Sequence, residues 1–170
     1  SQNEAHLEKN KISENYWLDQ FSGELPVLEL PTFKKRPLIK TNNGNKAEHV
    51  YSVEFTKKLK SFSETQNVTL FMTLMAGINT LLSRYSGQDD IILGTPVAGR
   101  EHPDLENQIG PYLNTVAIRT KLDEQETFRS LLLKEKQLLL NSYQHQDYPF
   151  DELVWKLNLP QDSSRSFLFD

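Results

Sequence analysis

Four histidines, His6, His49, His102 and His145, are the side chains in this sequence whose ordinary pKa lies nearest neutrality, and they set the first limits on its chemistry. They stand singly. No H-x-x-x-H or H-x-x-E-H pattern places two of them on one helical face, so a zinc site is not expected. The absence of cysteine removes a thiolate nucleophile, a disulfide framework and cysteine-ligated zinc together. Gly94 and Gly99 have the glycine spacing of a phosphate loop, but Arg100-Glu101 follows where Lys-Ser/Thr would reach phosphate and Mg²⁺. No G-x-S-x-G elbow occurs, so a hydrolase serine has no turn to occupy. Asn67-Val68-Thr69 matches the glycosylation sequon, a short pattern without meaning outside a secretory context.

Side chains of this kind need elements to hold them. Ser13 can cap a helix carrying Tyr16, Trp17, Leu18 and Phe21, which Gly23 and Pro26 close; a proline-rich connector follows to Pro37. The turn cluster 41–46 introduces an alternating stretch, Val50 to Phe55, that reads as a strand, and a short helix is expected over 56–66. Thr69 can cap a longer helix ending before Gly87. Its apolar residues Leu70, Phe71, Leu74, Met75, Ile78, Leu81 and Leu82 lie all round it, so it is expected in the core. Asp90 to Gly94 reads as a strand buried on both faces, after which Pro96, Gly99 and Pro103 impose a loop. A further strand runs through Val116 and Ile118. Thr127 opens an amphipathic helix with Glu135 inside its apolar stripe; a short helix covers 150–157, and Phe167-Leu168-Phe169 begins a strand cut off by the chain end. Alternating helices and strands without a repeat indicate a layered α/β domain.

Composition narrows the partners. In 170 residues, 37% are hydrophobic and 25% charged, which suits a globular domain with one core. A formal net charge of -4 gives no bulk attraction for nucleic acid or an anionic membrane. No run approaches the roughly 18 apolar residues of a membrane span, and the polar first ten residues carry no signal-peptide core, so a cytoplasmic protein is expected.

Three segments gain meaning together. Ile92 to Arg100 (ILGTPVAGR), Ile109 to Arg119 (IGPYLNTVAIR) and His145 to Leu153 (HQDYPFDEL) resemble, in order and at similar spacing, successive motifs of the condensation domains of nonribosomal peptide synthetases. Tyr16-Trp17, Leu30-Pro31-Thr32, residues 68–88 and residues 162–169 extend the resemblance over nearly the whole chain from Tyr16. Phe33, Tyr112-Leu113 and Phe167 depart from the usual residues and bear on subtype.

The resemblance implies one lobe of the two-lobed, chloramphenicol acetyltransferase-like α/β sandwich, with a substrate tunnel between the lobes. It divides the chain into a poorly ordered start, 1–12, and a C-terminal lobe, 13–170, incomplete at both ends. The family's catalytic H-H-x-x-x-D-G lies in the other lobe, and no two histidines are adjacent here. No catalytic residue, metal or bound cofactor is therefore expected in this chain; substrates would arrive on the phosphopantetheine arms of carrier domains. The implied partners are the N-terminal lobe, peptidyl carrier domains and a neighbouring adenylation domain.

By the same resemblance Arg100 braces the active site by pairing with the aspartate of the histidine motif; a solvated loop arginine is the alternative. Gly110 and Asn114 fall beside the tunnel, where Asn114 either lines it or satisfies buried backbone groups. Gln146 and Asp147 border the lobe junction, and Asp147 can cap the helix that follows Pro149. The loop 94–109 resembles the family's floor loop. With 157–170 it would reach towards the other lobe, leaving apolar surface through which the isolated chain could self-associate. Two further readings remain: a carrier-binding or lobe-docking module without catalysis, and a standalone acyltransferase of the same superfamily.

Overall fold

Each well-placed hydroxyl at a helix start fixes one boundary of this fold. The structure, a computed structural model, describes residues 2–41, 43–99, 109 and 112–170, with side chains from residue 7 onward. Its elements are α1 (Gln2–Gln20), α2 (Val53–Thr65), α3 (Leu70–Ser86), β1 (Asp90–Val97), β2 (Asn114–Lys121), α4 (Phe128–Gln144) and α5 (Phe150–Leu157). The Thr69 hydroxyl accepts from Met72 N at 3.2 Å and that of Thr127 from Ser130 N at 3.2 Å, as expected of both caps. Gly87 closes α3 in the left-handed region, φ 72°.

Four expectations give way. Ser13 is internal to α1, which starts at Gln2 and takes in residues 2–12. The hydroxyl is buried against His145 rather than capping a helix. The alternating stretch 50–55 forms no strand, because the Ser52 hydroxyl accepts from Phe55 N at 3.1 Å and starts α2 at Val53. Pro96 lies inside β1. It stands opposite Thr115; the Leu122 N–Asp89 O bond sets the alternation of the ladder, which makes Pro96–Thr115 a non-hydrogen-bonded pair, so the missing proline N–H removes no ladder bond. Residues 167–170 carry no strand.

β1 and β2 pair antiparallel, from Asp90 opposite Lys121 to Val97 opposite Asn114. Every residue from Val116 to Thr120 is buried, on both faces of β2. On one face Thr120 meets α3 and α4 through Asn79 and Glu135. On the other, Arg119 meets the backbone that leaves α1, and the Phe169 ring lies over Gly94, where any Cβ would sit 2.1 Å from it. The core joins Trp17 and Phe21 of α1, Met72, Met75 and Ala76 of α3, both strands, and Leu131, Leu132 and Leu139 of α4. This is the layered α/β arrangement expected. No described helix is long and apolar enough to cross a membrane.

The α3–α4–β2 junction is polar at its centre. The fully buried Glu135 accepts through Oε1 from Asn79 Nδ2 and Thr120 Oγ1, both at 2.7 Å. Its Oε2 and the Oδ1 of Asn79 have no hydrogen-bond partner among the described residues. Burial raises the Glu135 pKa against the opposing effects of Thr120, Asn79 and Lys134, with Glu126 adding to the rise. A raised folded pKa means the native state holds a proton that the unfolded carboxyl has released, so this contribution is full below about 4.5 and is lost as pH rises through the folded value. Glu135→Gln, neutral throughout, is expected to melt above the wild type at pH 8, the gap closing towards pH 4.5. Parallel thermal melts that stay equally separated across that range would show that Glu135 does not titrate this way.

Candidate functional site

The three motif segments, distant in sequence, meet at one end of the sheet. Residues 92–97 and 114–119 are joined by the β1–β2 ladder, with Gly94 opposite Ala117 and Thr95 opposite Val116. The third segment is tied on by Asn114. Its Nδ2 donates to the carbonyls of Gln146 and Tyr148 at 2.7 and 2.9 Å, and its Oδ1 accepts from Thr115 N at 2.9 Å and Phe150 N at 3.3 Å. Two donors and two acceptor positions are the whole capacity of an amide. Asn114 is thus fully engaged with backbone. At the base of the segment between the strands, Gly99 takes φ 60° and passes so near Tyr112 that a Cβ would lie 2.0 Å from its carbonyl oxygen. Arg100, Gly110 and His102, on which sequence expectations fall, lie outside the described residues, as does the His6 side chain.

The 145–153 segment docks α1. Trp17 Nε1 donates to the His145 carbonyl at 3.0 Å, the His145 Nδ1 and Ser13 Oγ are 3.0 Å apart, and the imidazole stacks on Tyr16 at 4.2 Å. Burial, and then the nearby Lys9 charge, lower the His145 pKa, which keeps the ring neutral at pH 7. Tyr148 is buried and donates to Glu14 Oε2 at 3.4 Å. Burial, followed by the charges of Glu14 and Glu152, pushes its pKa up to about 12, so the phenol stays protonated. Asp147 does not cap α5. Pro149 holds that position without a side-chain bond, while Asp147 pairs with Lys9 at 2.7 Å in a half-exposed ion pair of small energetic weight.

Sequence reasoning passed over the most heavily engaged side chain. Arg119, its side chain 5% exposed, donates from Nε to Asp90 Oδ1 at 3.0 Å and from Nη2 to Asp90 Oδ2 at 2.7 Å. It also donates to the carbonyls of Ser22 at 2.9 Å, Glu24 at 2.7 Å and Gln20 at 3.4 Å. The available signal was an arginine directly after the apolar run Val116 to Ile118, with an acidic residue at the start of the preceding strand. A recess of about 360 Å³ beside Asp19, Ser22 and Lys121 has this arginine in its wall, already saturated. Among the described residues no group of three His, Asp or Glu side chains could hold a metal ion.

What this arrangement can do is hold a surface still. Neither His145 nor Tyr148 is a free acid or base, and Asn114 has no donor left. Asn114→Asp keeps the shape but turns two donors into an acceptor facing two carbonyls. It is expected to lower stability by about 2–3 kcal/mol in urea denaturation. A loss under roughly 0.5 kcal/mol would mean that the amide does not clamp the 146–150 segment.

Comparison with known proteins follows the same lines. The Condensation domain family model matches residues 1–170. Bacitracin synthase 1 of Bacillus licheniformis is 45% identical over 166 residues, 98% of this chain but 3% of that synthetase. Gramicidin S synthase 2 of Brevibacillus brevis is 45% identical over 92% of this chain and 4% of its own length. The chain therefore spans a small fraction of the curated relatives it matches. Among solved structures, a four-domain nonribosomal peptide synthetase bound to AMP and glycine superposes with a TM-score of 0.89 at 26% identity, covering 92% of this chain and 12% of that one. The X-domain from teicoplanin biosynthesis superposes at 0.86 with 24% identity, covering 94% and 36%, which speaks for the fold alone. Joined by a two-strand ladder and one saturated amide, the three motif segments are those of a condensation domain, and the chain belongs to that family.

Proposed function

We propose that this chain is second-lobe material of a nonribosomal peptide synthetase condensation domain, supplying a tunnel wall and lobe contacts for amide-bond formation between carrier-tethered thioesters. The observation that carries this reading is the union of segments 92–97, 114–119 and 145–150 through the β1–β2 pairing and the Asn114 clamp. In the reaction, the amine of the acceptor aminoacyl group attacks the donor thioester carbonyl. A C–N bond forms, the C–S bond breaks, and the proton lost by the amine ends on the departing thiol. Such a step gains most from positioning and from dipoles fixed around the oxyanion.

The acid–base work belongs to the H-H-x-x-x-D-G of the first lobe, since no two histidines are adjacent in these 170 residues, and the chain alone is inactive. Arg100 braces that motif through its aspartate. Gly110, Asn114, Gln146 and Asp147 shape or support the tunnel; the full engagement of the Asn114 amide favours support over contact with substrate. Peptidyl carrier domains present both substrates on phosphopantetheine, beside an adenylation domain of the same assembly.

The test is intact-mass detection of a carrier-bound dipeptide from loaded donor and acceptor carriers, with this chain alone and with a separately produced first lobe. Product only when both lobes are present is expected, with Arg100→Ala lowering the yield at least tenfold. Product from this chain alone would assign the chemistry to it and favour the standalone acyltransferase. Carrier binding without product in either mixture would favour a docking module.

A further inference from the structure

Helix α3 is apolar on two opposite faces, and the core covers one. Met72, Met75, Ala76 and Asn79 are buried. On the far side Phe71, Leu74, Ile78, Leu81 and Tyr85 are 39%, 45%, 44%, 54% and 65% exposed. Sequence periodicity placed the whole helix in the core; half of that apolar surface is on the outside. The five residues follow a 3-4-3-4 spacing, the narrow seam of a two-helix contact.

The seam also reads the same from either end: aromatic, leucine, isoleucine, leucine, aromatic. A two-fold axis through Ile78 sets Phe71 against the second copy's Tyr85 and Ile78 against its own counterpart, and brings Leu74 within one residue, about 1.5 Å along the axis, of its Leu81, an isologous contact. Charge does not oppose this. Arg84 is the one charged residue of α3, and antiparallel pairing separates the two copies of it by about 18 Å along the axis, roughly twice the Debye length at physiological salt. Beside the seam, Gly77 has open space where a Cβ would be, so the backbones can approach closely. At these exposures the five side chains offer roughly 500 Å² per copy, on the order of 1,000 Å² in all, the lower end for a specific interface.

We propose that the outer face of α3 is a self-complementary docking surface on which a second copy of this chain pairs antiparallel. The inference rests on α3 alone and is independent of the proposed function.

Sedimentation equilibrium of the chain over micromolar concentrations tests it. A monomer–dimer equilibrium is expected, weakened at least tenfold by Ile78→Lys or by Leu81→Glu. Combining Leu74→Lys with Leu81→Glu should restore it, because those positions lie within one residue of each other across the axis, close enough for the long side chains to pair. The chain has no cysteine, so Ile78→Cys adds a single thiol, and a short bismaleimide should trap one discrete dimer even if the charged variants unfold. A monomer at every concentration would overturn the proposal and leave this face to another segment or partner. So would a dimer indifferent to both charged variants in folded form, oligomers that do not stop at two, or no crosslink at position 78.

Discussion

Arg119 and Asp90 hold the two-stranded sheet to the end of α1, which no ladder joins to it. Asp90 begins β1 and Arg119 lies two residues before the end of β2, so their bidentate pair fastens one end of the sheet. The same guanidinium takes the carbonyls of Gln20, Ser22 and Glu24, fixing where α1 stops and the connector begins. A planar fork with five N–H donors can serve a carboxylate and several carbonyls at once; an ammonium offers three donors without that fixed geometry. Removing one partner of so buried a pair would leave a charge uncompensated, typically a loss of about 3–5 kcal/mol.

The opposite face of β2 depends on a second polar cluster. A two-stranded sheet is marginal by itself, and β2 is buried as a central strand would be, so its position must come from what packs on it. Leu131, Leu132 and Leu139 provide apolar burial that many placements of α4 could satisfy. Directional bonds from Glu135 to Asn79 and Thr120 select one, because a shifted helix would leave a buried carboxyl without partners. Asn114 repeats the device at the end of the strand, where one amide satisfies four backbone groups of the flanking segments.

These bonds explain what could be read from the sequence. Thr69, Thr127 and Gly87 mark their boundaries because capping is a local interaction, complete within four residues. Ser52 offers the same signal, yet the alternation of residues 50–55 suggested a strand; a strand needs a partner, and a cap needs only its own helix. The identity of α3 as a helix was legible, and its orientation was not, since an all-apolar surface gives no phase. Arg119 and Glu135 were visible as charged residues in buried runs. Their partners lie up to 99 residues away, beyond any local pattern. Asp147 had the residue type and nearly the position of a cap, but Lys9, 138 residues distant, took its carboxylate.

The same contrast bears on what the family's motifs do. Residues 145–148 contain a histidine, an aspartate and a tyrosine, the composition of an acid–base centre. Their surroundings point the other way: His145 is stacked and held neutral, Asp147 is paired with Lys9, and Tyr148 is buried with its pKa at about 12. A proton relay needs groups poised near the working pH and open to the reacting atoms. A wall that orients two tethered substrates needs groups that do not move. Side chains whose hydrogen-bonding capacity is filled by backbone meet the second requirement. On the proposed reading, this lobe's part in catalysis is therefore geometric, and a motif can recur in a family because it joins three segments rather than because any member touches substrate.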